Sequence, residues 1–480
     1  MVSLKKLLKN VPIIDISGSL EIKIESFSDN SKQIKNNGLF IAIKGLTFDG
    51  HNYINNALTS GAIAIIYEDE NWKQNNISII NSNPKCTFIR TDISRKVLAY
   101  ISSNYYGNPA NSMKIIGITG TNGKTSTSEI IYQFLKNSGM KTGLISTIQA
   151  KYNDISIDTG YHVTSPEAPQ LHYYLSIMKK AKIEYLVLET TSHALDQYRV
   201  EGINFDVCGI TNITPEHLDY HKTFESYIKA KAKIFSQSKY IFLNKYDPSI
   251  NTLVDLVPPD KKYEIIDYRN YDIPKEYKNA YPGEYNMENY ALARAIVEKI
   301  LDSKLNNKIN LLPITGRFET VYDKKFKIII DFAHDAYSLR NVLKTAKKMT
   351  KGRLISVFGC AGLRDKNKRK LMGQFAQQYA DIVVITAEDP RTEDIKDINL
   401  EIESGLREKG GLLNLNYFII DDRQEAINIA VNKLAKTDDT ILITGKGHER
   451  SMCFGTVEYP WSDHDAVKKA VSLLNRNKKN

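Results

Sequence analysis

The stretch Gly117-Ile118-Thr119-Gly120-Thr121-Asn122-Gly123-Lys124-Thr125 constrains this chain more than any other. The apolar run Ile115 to Ile118 leads into it. A helical pattern follows, with Ile130, Ile131, Phe134 and Leu135 on one face. Strand, glycine-rich bend and helix in that order make an anion site. Glycines let backbone N–H groups point inward, and the helix N-terminus adds partial positive charge. Lys124 would reach the outer phosphates of a nucleotide, and the Thr125 hydroxyl would meet Mg²⁺. The spacing departs from G-x-x-x-x-G-K-[ST], because Ile118 stands five residues before Gly123 and the glycines fall at 117 and 120. The competing reading is an ordinary glycine-rich turn; the order of the elements favours nucleotide binding.

At ~150 residues per domain, 480 residues suggest three domains. A hydrophobic share of 42% with 25% charged residues argues for globular structure throughout. Apolar runs such as Ala62 to Tyr67 are strand-sized, and none reaches the ~18 residues of a membrane helix. Met1 to Asp15 lacks the apolar core of a secretory signal. The net charge of +10 is spread along the chain. Without a zinc finger, an RNP sequence or sustained heptads, it suits an anionic small molecule better than nucleic acid. Cys86, Cys208, Cys360 and Cys453 lie far apart without a C-x-x-C, as expected of isolated thiols in a reducing cytoplasm.

Three segments separate by pattern. Residues 1–109 mix short strands with glycine turns and close at the turn formers Tyr106 to Ser112. Residues 110–313 alternate apolar strands (Tyr185 to Leu188, Val207 to Ile210) with helical stretches, which predicts a mostly parallel sheet covered on both faces. Residues 314–480 resume the βα alternation with Ile328 to Ile330, Leu354 to Phe358, Ile382 to Ile385 and Ile441 to Thr444. The expected class is α/β throughout: an N-terminal α/β domain, a central phosphate-loop domain and a C-terminal Rossmann-like domain.

Two strand ends carry candidate metal ligands. Glu189 closes the strand Tyr185 to Leu188, where parallel sheets bind ligands, though an acid there is also a common helix cap. After Val207 to Ile210 come His217 and His221, which suit a second cation or nothing special. The helical stretch Phe224 to Phe235 carries Lys229, Lys231 and Lys233, and the residues alone do not select one.

Taken in order, further segments become recognisable. They are Gly38 to Gly45 with Asp49-Gly50-His51, Thr119 to Thr125, Thr164-Ser165-Pro166-Glu167, and Glu189-Thr190-Thr191-Ser192-His193 with Gln197 and Arg199. Next come Thr211-Asn212, His217 to His221, Asn286 and Asn289, Gly316 to Glu319, and Asp331-Phe332-Ala333-His334. Phe358 to Asp365, Asp389-Pro390-Arg391 and Gly445-Lys446-Gly447-His448-Glu449 complete the set. Their order and spacing resemble the Mur ligase family over nearly the whole chain. The likeness is strongest to the branch that adds the third residue to UDP-N-acetylmuramoyl-L-alanyl-D-glutamate.

The resemblance implies an ATP-dependent amide ligase of peptidoglycan synthesis that works through an acyl phosphate. It implies that Gly120, Thr121, Asn122, Gly123, Lys124, Thr125, Asn289, Arg317, Asp331 and His334 bind ATP. Thr125, Glu189, His217 and a carbamylated Lys231 would hold two Mg²⁺ ions, with Lys124, Lys231, His217 and Glu189 as the catalytic set. Ser31 and Lys32 would hold the uridine diphosphate end, and Thr164, Ser165, Thr191, Gln197 and Arg199 the muramoyl-dipeptide. Glu388, Asp389, Arg391, Gly445 and Glu449 would form the pocket of the incoming diamino acid. The expected partners are these small molecules alone, for a cytoplasmic monomer with no nucleic acid and no membrane insertion.

Several positions depart from the family pattern. Asn30-Ser31-Lys32 replaces Asp-Ser-Arg, which keeps a charge and loses a bidentate fork. Val163 replaces an Asn, and Asp335-Ala336-Tyr337 replaces Thr-Pro-Asp. Glu388-Asp389-Pro390-Arg391 stands where enzymes using meso-diaminopimelate carry Asp-Asn-Pro-Arg. Arg391 can fork a carboxylate, which favours diaminopimelate, and Asp389 would rather meet an ammonium, which keeps L-lysine close. The D-alanyl-D-alanine-adding ligase, folylpolyglutamate synthetase, a nucleotide-binding regulator and a nucleic-acid ATPase are the other readings.

Overall fold

A computed structural model describes residues 1–45, 48–157, 164–306 and 311–476. Its three main sheets follow one another along the chain, each with helices around it. The first is built from β1 (Asp15–Ser17), β2 (Ser26–Ser28), β3 (Gly38–Ile41), β4 (Ala62–Tyr67) and β5 (Thr87–Arg90), in the order β1-β5-β4-β3-β2. Only the β1–β5 pair is antiparallel.

The central sheet has eight strands: β6 (Lys114–Thr119), β7 (Thr142–Ile145), β8 (Ala150–Tyr152), β9 (Ile155–Ile157), β10 (Tyr185–Glu189), β11 (Phe205–Ile210), β12 (Ser238–Asn244) and β13 (Lys262–Ile266). The order is β9-β8-β7-β10-β6-β11-β12-β13, antiparallel only in the β7–β8–β9 meander. Strand β6 lies in the middle, with later strands on both sides. The crevice beyond its carboxyl end is therefore a topological switch point. Both faces are covered, so Ile116 and Ile118 pack against Ile130, Phe134 and Leu292, and Ile115 against Leu171, Leu175 and Ile234. That double burial is why these strands read as continuous apolar runs.

The third sheet comprises β14 (Glu319–Asp323), β15 (Lys327–Asp331), β16 (Leu354–Phe358), β17 (Ile382–Ile385), β18 (Tyr417–Ile419) and β19 (Thr440–Thr444). Its order is β14-β15-β19-β16-β17-β18, parallel except at the β14 edge. The chain thus has three α/β domains with mostly parallel sheets. Among the described residues, no helix is long and apolar enough to cross a membrane.

Candidate active site

The bend after β6 leads into the helix Lys124–Asn137 with Gly120 at φ +147° and Gly123 at φ +83°. Side chains are excluded at both places on two grounds. L residues avoid that backbone region, and a Cβ would press on Thr211 at Gly120 and on Asn289 at Gly123. Asn212 holds the bend from the next strand end, accepting from the Asn122 N–H (3.1 Å) and donating to its carbonyl (3.0 Å). Lys124 turns back so that its Nζ donates to the Thr121 carbonyl at 2.8 Å.

Glu189 ends β10 one strand away, buried at 1% exposure. Its Oε1 accepts from the Thr125 hydroxyl (3.1 Å) and the Thr147 hydroxyl (2.9 Å), and its Oε2 accepts from the Thr147 N–H (2.9 Å). It caps no helix; Thr191 does that for Ser192–Asp196. A carboxylate and a hydroxyl side by side are hard oxygen donors, which fit Mg²⁺.

The helix Phe224–Ser236 separates its three lysines by face. Lys229 pairs with Glu225 at the surface, Lys233 pairs with Asp196, and Lys231 is buried at 1% exposure. Its Nζ donates to the Gly120 carbonyl at 2.6 Å and lies 4.6 Å from the Tyr227 ring centre. Burial, reinforced by nearby Lys124, holds the Lys231 ammonium well below its usual range, so the neutral amine is favoured. The signal was present in the sequence. Residues i and i+4 share a helix face, so Lys229 and Lys233 go together, and Lys231 falls with Tyr227, Ile234 and Phe235.

Among the described residues, no hydrogen bond or ion pair joins His217 to Lys231 or Glu189. Its Nε2 lies 3.7 Å from Glu216, whose other oxygen lies 3.6 Å from His334 Nε2 in the C-terminal domain. Burial pushes the Glu216 carboxyl up, but His217, His334 and Lys124 together hold it well below its usual range. For His334, the Glu216 carboxylate outweighs burial and raises the imidazole. Sequence reasoning missed Glu216, although it directly precedes His217. Among the described residues, no three His, Cys, Asp or Glu side chains converge as a metal cluster.

The C-terminal domain reaches the same crevice through Arg317, whose guanidinium donates to the Thr125 hydroxyl at 3.1 Å and lies 4.6 Å from the centre of Phe332. Asp331 is committed to the backbone, accepting from the Phe318 and Ala333 N–H groups at 2.7 Å each. Asn289 accepts from Thr127 beside Gly123. A cleft of ≈ 920 Å³ opens between the domains, lined in part by Thr147, Gln149, Thr315, His448 and Glu449.

The residues expected to hold a dipeptide come together on the other side. Ser165 Oγ donates to the Glu189 carbonyl and accepts from the Thr191 N–H. Arg199 donates to the Ser165 carbonyl (2.9 Å) and to Gln197 Oε1 (2.8 Å). Thr164 adjoins them in the chain; Val163 lies outside the described residues. In the first domain, Asn30 caps the short turn Ser31–Gln33, which buries Ser31 and leaves Lys32 exposed.

In the C-terminal pocket, Asp389 does meet an ammonium, but one supplied by the chain: Lys446 Nζ lies 2.8 Å from Asp389 Oδ1 and also pairs with Glu449. Arg391 donates to the Gly362 carbonyl at 2.6 Å. Burial, and next the charge of Arg391, lower the pKa of Arg364, so two guanidinium groups lie near each other here. Glu388 Oε2 is buried without a hydrogen-bond partner among the described residues, facing Gly445. Burial pushes the Glu388 carboxyl up to about 7, against the pull of Lys368 and His334.

The Mur ligase family catalytic domain matches residues 23–106, the Mur ligase middle domain residues 118–280, and the Mur ligase glutamate ligase domain residues 316–447. The UDP-N-acetylmuramoyl-L-alanyl-D-glutamate--2,6-diaminopimelate ligase 1 of Clostridium acetobutylicum is 35% identical, over 98% of this chain and 99% of its own. A solved structure of a UDP-N-acetylmuramoyl-L-alanyl-D-glutamate--2,6-diaminopimelate ligase superposes with a TM-score of 0.63 at 25% identity, covering 99% of both chains. The MurF ligase of Thermotoga maritima, solved in complex with ADP, shares the fold at TM-score 0.58 and 20% identity, covering 95% of this chain and 98% of its own.

Proposed function

The chain belongs to the Mur ligase family, and from that premise we propose that it adds a diamino acid to UDP-N-acetylmuramoyl-L-alanyl-D-glutamate, with meso-diaminopimelate as the preferred substrate. It is then an ATP-dependent, ADP-forming ligase of peptidoglycan precursor synthesis, acting as a monomer in the cytoplasm. Residues 1–109 take the uridine nucleotide, 110–313 ATP, and 314–480 the amino acid. The observation that carries the reading is Arg317 reaching Thr125, which brings the C-terminal domain onto the last residue of the phosphate loop.

Amide formation from a carboxylate is uphill in water, so the carboxylate needs activation. Bound ATP supplies the γ-phosphoryl that converts the D-glutamyl carboxylate to an acyl phosphate with release of ADP; the amine then attacks the acyl carbon, and phosphate leaves as the amide forms. Bound Mg²⁺ ions would offset phosphate charge, one held by Thr125 and Glu189, the other by His217 and a carbamylated Lys231. Burial holds the Lys231 ammonium well below its usual range, and the neutral amine is the form that adds carbon dioxide, losing a proton as it does, which supports that modification. Lys124, which donates to the Thr121 carbonyl, would turn to the outer phosphates, and the bend, whose Thr121 and Asn122 N–H groups are held by Asn212, would seat them at the helix N-terminus. Arg317 holds positive charge against the transferring group, while Asn289, Asp331 and His334 frame the nucleotide from the far side. Ser165, Thr191, Gln197 and Arg199, with Thr164, orient the dipeptide, and Ser31 with Lys32 anchors its nucleotide end. Glu388, Asp389, Arg391, Gly445 and Glu449 receive the incoming amino acid.

The test is a panel of amino acids offered with ATP and the UDP-muramoyl-dipeptide, read by product mass and phosphate release. Product carrying one diaminopimelate residue, with phosphate release that needs all three substrates, is expected. Release without any amino acid, or no product from any, would defeat the reading.

A further inference from the structure

We propose that Lys446 determines which amino acid the C-terminal pocket accepts, by neutralising Asp389 within the protein and leaving the pocket positive toward a substrate side chain that ends in a carboxylate. The inference rests on the ligase reading above and deepens it. Asp389 introduces a carboxylate at a position whose neighbours, Arg391 and Arg364, otherwise favour an anion. Left exposed, it would repel a distal carboxylate and attract a distal ammonium, the pattern that suits L-lysine.

The structure spends that charge elsewhere. Lys446, 57 residues away in sequence, has no exposed side-chain surface and lies 2.8 Å from Asp389 Oδ1. The same oxygen accepts from the Cys453 N–H at 2.9 Å. Asp389 itself sits in the left-handed region at φ +43°. Lys446 also pairs with Glu449, so one lysine faces two of the pocket's three acids. Lys446, Arg364 and Arg391 stand against the carboxylates of Asp389 and Glu449, while burial pushes the third acid, Glu388, up to about 7. The Lys446 ammonium is held above its usual range, chiefly by Glu449 and Asp389 against the effect of burial, and it stays charged. Lysine, whose distal end is a cation alone, meets a like charge. Diaminopimelate offers a carboxylate to the two guanidiniums.

The experiment measures kcat/KM for L-lysine and for meso-diaminopimelate in the wild type, Lys446→Met, Asp389→Asn and the double variant, with Tm recorded for each. Lys446→Met should raise the lysine-to-diaminopimelate ratio at least about tenfold, because an unmasked Asp389 repels the distal carboxylate. Asp389→Asn should lower kcat/KM for both amino acids by a similar factor, so the ratio moves by less than about threefold, well short of the tenfold above. The double variant should return to the wild-type ratio. An unmoved ratio in Lys446→Met, or a double variant that keeps the shifted ratio, overturns the proposal. Should Lys446→Met fail to fold, Lys446→Gln, which keeps a hydrogen-bond donor but removes the charge, takes its place: the same shift toward lysine is expected, and an unmoved ratio overturns the proposal. A wild type that ligates neither amino acid would instead bring down the ligase reading, and this inference with it.

Discussion

The phosphate loop and the C-terminal pocket solve the same problem, holding charge away from water, with different materials. The loop uses backbone. Gly120 and Gly123 bend the chain at positive φ, Asn212 from a neighbouring strand end holds the Thr121 and Asn122 N–H groups, and all the parts of the bend itself lie within nine consecutive residues. The pocket uses side chains drawn from distant segments: Lys446 with Asp389, and Arg423 with Asp463, 40 residues apart. A backbone cradle tolerates little change in sequence and stays recognisable. A pocket of paired side chains can exchange one charge for another, provided a partner absorbs it, as Lys446 does for Asp389.

The largest effects should come from the loop. Lys124→Ala should cut kcat on the order of 10³-fold, about 4 kcal/mol of transition-state stabilisation, with the fold intact. Lys231→Arg should do nearly as much, because arginine is not carbamylated and its planar fork does not fit the space beside Gly120. Steady-state phosphate release measures both, with circular dichroism as the check on folding. Turnover within a few-fold of wild type in either variant would detach that lysine from the chemistry and leave the loop a passive turn.

That asymmetry explains how much could be read from sequence. The loop, Glu189 at its strand end and the α/β alternation are local patterns, and the structure has them where the pattern places them. The position of Lys231 was also encoded, in the spacing of three lysines around one helix. Glu216 reaching His334, and Lys446 answering Asp389, were not, because each contact joins segments that only tertiary folding brings together. Asp389 considered alone points toward an ammonium of the substrate; its partner reverses that inference.

A smaller effect, on stability rather than turnover, should appear in the pocket's frame. Arg423 is fully buried. It makes two 2.8 Å bonds to the Asp463 carboxylate and donates to the carbonyls of Ala387 (3.2 Å) and Thr444 (2.8 Å). Those carbonyls directly precede Glu388 and Gly445, so one guanidinium ties together the two strand ends that carry the pocket. Arg423→Met leaves Asp463 buried and unpaired and should cost about 3 kcal/mol, read as a lower denaturant midpoint. KM for the amino acid should rise while KM for ATP holds. Equal rises in both would make the pair a general support of the domain and erase the contrast with the loop.

The most gradual effect concerns Glu388 and depends on pH. Its carboxyl is raised from 4.5 to about 7, chiefly by burial, so the folded protein holds this proton more tightly than the unfolded chain does. The resulting stability is complete below the unfolded value of 4.5 and is lost as pH rises through about 7. Glu388→Gln cannot ionise and lacks that term. The stability of the wild type relative to the variant should therefore fall between those two values, by at most about 1.4 kcal/mol per pH unit, and level off above them. Paired denaturant titrations across that range measure it. A flat difference would mean that Glu388 ionises as freely as an exposed acid, and that the pocket admits water to its deepest carboxylate.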